Sequence, residues 1–200
     1  MNSIIDVLSR QLDGDTMTAI GRRLGTDEHT AANAVRLALP VLVGAIARHA
    51  ADPRYAGALG QALDTDHDGS VIDHPAQLFA EPQLFSGAGI LRHVFGARRA
   101  EVEQGIARVT GLDAAQVAQI MLMIAPLLMG ALGRMKRQRG LDTRGLGGVL
   151  RDERLRLQQR SPAVAGLGAV LDPSRDGHVA DDIVRMGSQV LGGTLGVQHR

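Results

Sequence analysis

The stretch LDTDHDGSVIDH, residues 63–74, carries acidic side chains at the spacing of a calcium-binding loop. Such a twelve-residue loop takes oxygen ligands from positions one, three, five and seven and an acid at position twelve, with glycine at position six. Gly69 stands at position six, but position twelve is Pro75, so the cage would have to close early. The candidate ligands, in chain order, are Asp64, Asp66, Asp68, Ser70 through its carbonyl, and Asp73.

A second stretch, LDPSRDGHVADD at residues 171–182, repeats this pattern in weaker form. Its spacer positions hold Pro173 and Arg175, and a cation beside the cage lowers its affinity for calcium. The weaker candidate ligands are Asp172, Ser174, Asp176 and Asp181.

Both stretches also have a purely local interpretation. Aspartates form side-chain-bonded turns, glycine adopts the left-handed conformation, and Asp73 and Asp181 could cap the helices that follow. Calcium binding and local turn formation therefore both stay open.

The rest of the sequence offers no constellation for catalysis. The chain has no cysteine, its seven histidines are scattered, and it lacks a nucleophile elbow and a phosphate-binding glycine loop. His93 is interpreted as a core or interface residue, and Asp152 and Glu153 as members of a solvated charged helix. We therefore expect no catalytic residues, no bound organic cofactor and no enzyme activity.

An internal repeat organises the chain. Residues 4–48 align without a gap on residues 90–134, so that PVLVGAIAR, starting at Pro40, matches PLLMGALGR, starting at Pro126. The predicted units are residues 1–75, ending in the Asp-rich turn, and residues 76–200, with an insertion at about 135–165 and the weaker turn. One compact domain is the alternative.

The insertion is basic and rich in glycine. Residues 134–160 hold nine Lys or Arg against three acids and no aromatic side chain. We expect a solvated, partly disordered loop. Weak nucleic-acid binding through its charges is an alternative, which the absence of stacking aromatics disfavours.

The composition predicts an all-α fold, because aliphatic residues abound while the chain has one Tyr, three Phe and no Trp. In each unit we expect a short helix, a second helix ending near Gly25 or Gly111, a long third helix capped by Asp27 or Asp113, and a fourth helix after the Asp-rich turn.

The third helices are apolar on nearly every face, which indicates central core helices rather than membrane spans. Pro40 and Pro126 are expected to kink or break them. Gly44 and Gly130 would let the two helices, or a helix of another subunit, approach closely.

The string GILRHVFGARRAEVEQGIARVTGLDAAQVAQIMLMIAPLLMGALG, residues 89–133, strongly resembles the YidB-like family of bacterial proteins, a domain of unknown function. The resemblance is close over these residues and extends to the LDTDHDGS element. It implies an all-helical fold and brings no catalytic residues.

We therefore expect a non-enzymatic helical interaction module that self-associates or binds a protein partner. The alternatives are a calcium-binding structural or regulatory protein and a weak nucleic-acid binder. The near balance of 22 basic and 21 acidic side chains disfavours global attraction to nucleic acid or membrane. The start of the chain has no cationic, apolar leader, which predicts a cytoplasmic location.

Overall fold

The computed structural model describes residues 3–67, 69–73, 78 and 86–160, apart from the side chains of residues 9–11, 158 and 160. Within these residues the fold is all-helical and contains no strand. Two single turns of 3₁₀ helix lie at Ser70–Ile72 and Gly96–Arg98. The helices are α1 (Ile4–Gln11), α2 (Gly14–Leu24), α3 (Glu28–His49), α4 (Pro53–Thr65), α5 (Gly87–Phe95), α6 (Arg99–Thr110), α7 (Ala114–Gln138) and α8 (Thr143–Arg160).

The expected helix boundaries before α3 and α7 are confirmed. Gly25 and Gly111 end α2 and α6 with φ of 69° and 75°, the left-handed region that glycine enters without steric cost. Asp27 then accepts a hydrogen bond from the Thr30 amide at 2.9 Å. Asp113 and Gln116 form a reciprocal capping box, with bonds of 2.7 and 2.9 Å.

The long helices α3 and α7 form the centre of the fold and pack against each other. Both run without interruption through Pro40 and Pro126, so these prolines do not break them, and the expected kink stays a prediction. Met121, Met123 and Met129 are buried on α7. Helices α2, α6 and α8 pack on α3, while α1, α4, α5 and α6 contact α7, so that these two helices contribute most of the core.

By length and composition alone, α3 and α7 are each long and apolar enough to cross a membrane. Their most apolar windows have mean hydropathies of 1.6 and 1.8. Yet 67% and 72% of those windows lie buried against other helices. Such burial is what a central core helix shows, and a helix of this kind satisfies the same test of length and composition.

The connecting segments differ from expectation in two places. The glycine-rich segment predicted as a loop forms α8, whose buried face carries Leu146, Leu150 and Leu157 at helical spacing. The first unit also has a helix, α4, before the Asp-rich turn, which the sequence did not predict. Most of the segment expected to form a helix after that turn lies outside the described residues. In both cases packing against α3, α7 or α8 outweighs the local tendency of the glycines to form a loop.

Glu153 departs from the expected solvated position. Its side chain is 2% exposed on the inner face of α8 and accepts a hydrogen bond from the Ser3 hydroxyl. The Ser3 oxygen also accepts from the Ile5 amide and so caps α1. A buried carboxylate thus ties the start of α1 to α8.

Candidate functional site at the Asp-rich turn

The Asp-rich turn is built by a helix end and a glycine. Asp66 terminates α4, and Gly69 follows with φ of 89°, a conformation that side-chain-bearing residues rarely adopt. The 3₁₀ turn then buries Ile72 while Ser70 and Asp73 stay at the surface. The glycine required by the calcium-loop pattern therefore has the backbone conformation that a sharp turn needs.

The turn lies directly on α7, at two glycines one helical turn apart. A Cβ on Gly130 would lie 2.6 Å from Val71 Cγ1, and a Cβ on Gly133 would overlap the His67 carbonyl oxygen. Conversely, a Cβ on Gly69 would lie 2.9 Å from Arg134 Cβ. Gly130 was expected to admit another helix, but the Asp-rich turn packs against it instead, so that expectation is wrong.

Two cations of α7 hold the acids that flank the turn. Lys136 Nζ lies 2.5 and 2.7 Å from the two carboxylate oxygens of Asp64. Arg134 Nη2 donates to Asp73 Oδ2 at 2.5 Å and to the Gly69 carbonyl at 2.7 Å. These partly exposed pairs each contribute about 0–1 kcal/mol, so the close glycine packing fixes the turn more than its charges do.

The candidate calcium ligands are only partly brought together. Within the described residues, no group of three or more histidine or acidic side chains is placed to hold a metal ion. Asp64 and Asp73 pair with separate cations, and Asp66 is exposed at the end of α4. The remaining candidates, Asp68, Asp172, Ser174, Asp176 and Asp181, lie outside the described residues, so calcium binding stays a prediction.

A groove opens beside the turn, between α4 and α5. Its cavity has a volume of about 330 Å³, and Met129 of α7 also lines it. The walls are mainly aliphatic and alanine side chains, with polar groups from Tyr55, Asp66, His67 and His93. Grooves of this kind, with apolar walls and a few polar groups, are typical of binding sites.

Two ring side chains that line the groove, Tyr55 and His93, belong to a stack of three rings. Tyr55 lies between His49 and His93, with ring centroids 4.9 and 5.6 Å away. His49 Nε2 is 2.9 Å from the Val94 carbonyl, which joins the stack to α5. His93 itself is exposed, so its interpretation as a core residue is wrong, while its interpretation as an interface residue stays open.

Burial shifts the titration of two groove residues. Loss of water contact raises the pKa of Tyr55 to about 12, because the phenolate is poorly solvated there. Burial likewise lowers the pKa of His67, and the nearby Asp66 charge offsets this in part. At neutral pH both groups are therefore uncharged, which suits an apolar occupant.

Sequence reasoning missed Tyr55, the groove and the buried Glu153. A usable signal existed for the first: Tyr55 is the single tyrosine of a chain poor in aromatics, eight residues before the apolar Leu63 that leads into the turn. The groove itself joins residues separated by some thirty positions, and local spacing does not report such a contact.

Comparison with known families places the chain. The family described as "Bacterial protein of unknown function (DUF937)" matches residues 6–135, more than half of the sequence, so the chain belongs to this family. YidB is a member of it, which confirms the resemblance found in the sequence. No curated protein and no solved structure gave a match. The turn and the groove both lie within the matched residues.

Proposed function

We propose that this protein is a non-enzymatic helical interaction module that binds a protein segment, or a second copy of itself, in the groove between α4 and α5. One observation carries the proposal: the groove has mainly apolar walls, whereas the described surface outside it exposes almost no large hydrophobic side chain. Among the described residues, Leu155, which is 45% exposed, is the single large hydrophobic side chain that projects into solvent. A broad apolar patch for flat association is thus missing from that part of the surface, which directs binding to the groove.

The groove favours an occupant with aliphatic side chains. Leu59, Ile90, Val94 and Met129 supply its apolar walls. The rings of Tyr55 and His93 present flat faces with polar atoms at their edges. An amphipathic helix that inserts one or two aliphatic side chains between α4 and α5 fits this arrangement.

We also propose that the fold is a pseudo-duplication, with units at residues 1–75 and 76–200 around the two proline-containing helices. Its support is the shared order of features: a helix, a left-handed glycine, an aspartate cap and a long helix occur at α2–α3 and again at α6–α7. The groove uses α4 of the first unit and α5 of the second, so a partner there would contact both.

Site-specific crosslinking tests the groove. A photoreactive residue at the exposed Ala58 should give a discrete adduct, either with a second copy in purified protein or with a cellular protein. The same probe at exposed Gln104, outside the groove, is the matched control. Filling the groove by Ala62→Phe should remove the adduct. Equal adducts from both positions, with a monomer by light scattering at every concentration, would reject the proposal.

Calcium binding through the Asp-rich turn is the second candidate function. The left-handed Gly69 favours it, because the sixth position of a calcium loop needs that conformation. The ion would have to displace Lys136 from Asp64 and Arg134 from Asp73, which is why we rank it second. Millimolar calcium should raise the melting temperature, and Asp64→Ala with Asp68→Ala should abolish the rise. An unchanged melt with calcium, magnesium and EDTA would end this idea.

Weak nucleic-acid binding through the basic segment is the third candidate. The arginines of α8 are its support, and its described residues include no aromatic side chain to stack a base. A gel shift that persists at about 200 mM salt would favour it over nonspecific charge attraction.

A further inference from the structure

A second cavity, of about 420 Å³, lies between α8 and the connection from α3 to α4. One wall is formed by small apolar residues: Ala47, Ala50, Ala51, Pro53 and Ala56. The opposite wall is one face of α8, which supplies Thr143, Arg144, Gly147, Arg151 and Arg154. The cavity is therefore apolar on one side and cationic on the other.

The spacing along α8 produces the cationic wall. Residues 144, 147, 151 and 154 follow each other at intervals of three or four, which places them on a single helix face. Gly147 has no side chain, and a Cβ there would meet only the Ala50 carbonyl, at 3.7 Å. The missing side chain leaves room between the guanidinium groups.

The positive charge of this wall is not neutralised by the described lining, which contains no acid. Two of the acids that neighbour lining residues in the sequence are engaged as helix caps. Asp52 accepts from the Arg54 amide at 2.8 Å, and Asp142 accepts from the Gly145 amide at 2.7 Å. Three arginines thus face one cavity without a carboxylate partner among the described lining residues.

Arg154 carries a buried donor on this wall. Its Nε atom is buried from solvent and has no hydrogen-bond partner among the described residues. A buried donor without an acceptor is unfavourable, and such groups in native proteins usually meet a bound water, ion or ligand. An anion in the cavity would provide the acceptor.

We infer that this cavity binds a small organic anion, with a phosphate group held by Arg144, Arg151 and Arg154 and an apolar body against the alanine wall. Arginine presents several N–H donors in a planar fork that matches phosphate oxygens. The volume exceeds what a bare inorganic ion fills and lies in the usual range for small-molecule sites. All of α8 lies beyond residue 135, where the family match ends, so family membership does not imply this site.

Calorimetric titration of the full chain tests the inference with three probes: phenyl phosphate, inorganic phosphate and phenol. Phenyl phosphate should bind most tightly, because it alone uses both walls. Arg154→Gln should weaken it about tenfold or more, the usual loss of a hydrogen bond to a charged group. Arg137→Gln makes the same charge change at an exposed position outside the cavity and should alter the affinity less than about twofold.

The exposed Arg144 and Arg151 provide variants that preserve the core if Arg154→Gln fails to fold. Each glutamine variant should also weaken phenyl phosphate, with circular dichroism confirming the fold. Binding of phenol as tight as phenyl phosphate, or equal losses in Arg137→Gln and Arg151→Gln, would overturn the inference. If a single-stranded oligonucleotide binds more tightly than phenyl phosphate, and Arg137→Gln and Arg151→Gln weaken it equally, the site is instead an extended basic surface.

Discussion

Adding one methyl group at Gly133 should loosen the Asp-rich turn. The new Cβ would overlap the backbone carbonyl oxygen of His67 and would lie 3.3 Å from that of Leu63. Backbone atoms cannot rotate away as a side chain can, so the turn itself must move. In the first unit the position that aligns with Gly133 is Ala47, so an alanine is compatible with the equivalent place in a long central helix.

Two opposing terms set the magnitude. Replacing glycine by alanine within a helix favours folding by about 1 kcal/mol through backbone entropy. Overpacking a close contact costs about 1–3 kcal/mol, and the upper part of that range applies where backbone must shift. We therefore expect Gly133→Ala to lower the free energy of unfolding by about 1–2 kcal/mol, or the melting temperature by about 2–8 °C.

Gly44 provides the matched control. It occupies the same helical context on α3 and aligns with Gly130, but a Cβ there would meet nothing within 4 Å. Gly44→Ala should therefore leave stability unchanged or raise it by up to about 1 kcal/mol. Urea unfolding followed by circular dichroism measures both variants. The reasoning is refuted if Gly133→Ala is as stable as the wild type or shifts in parallel with Gly44→Ala.

Three further predictions concern titration and burial. Tyr55 is the only tyrosine, so its ionisation can be followed by ultraviolet absorbance at alkaline pH, with an expected midpoint near pH 12 in the folded protein and near 10 in urea. The free energy of unfolding should fall as the pH rises above 10, and a midpoint of 10 in the folded protein would contradict the burial of Tyr55. Because burial lowers the pKa of His67 from its usual 6.5, protonation favours the unfolded chain, and the free energy of unfolding should decline as the pH falls below about 6.5. Urea unfolding of His67→Gln should show a weaker decline, and the same pH dependence in both proteins would exclude His67 as its source. Ser3→Ala leaves the buried Glu153 without its hydroxyl donor and removes the α1 cap, which should lower the free energy of unfolding in urea by about 1–3 kcal/mol. Asp152→Asn, at an exposed position, should be nearly neutral, and equal effects of the two substitutions would count against the buried contact.

The sequence predicted those features that depend on a few neighbouring residues. The glycine ends at Gly25 and Gly111, and the aspartate caps at Asp27 and Asp113, are local in origin, because a positive φ and a nearby amide suffice to define them. The all-helical class followed from the aliphatic composition. Burial of α3 and α7 followed from their having apolar side chains on nearly every face.

The errors arose where distant packing decides. Glycines at 145, 147 and 148 suggested a loop, but Leu146 and Leu150 are buried on one face of α8, and burying such side chains outweighs the entropic cost of helical glycine. Glu153 was expected in solvent because charged residues usually are exposed. Its buried position depends on Ser3, 150 residues earlier, a pairing that local spacing does not signal.

The residues that carry the family resemblance have a common physical explanation on α7. Pro126 lacks an N–H, so it cannot bond to the carbonyl of Leu122 four residues earlier. The structure places Gly87, at the start of α5, so close to that carbonyl oxygen that a Cβ would not fit. One helical turn beyond Pro126, the Asp-rich turn packs against Gly130 and then Gly133. The proline and the glycines of the segment APLLMGALG therefore position both α5 and the turn, and these elements, together with α4, line the groove to which we assign binding.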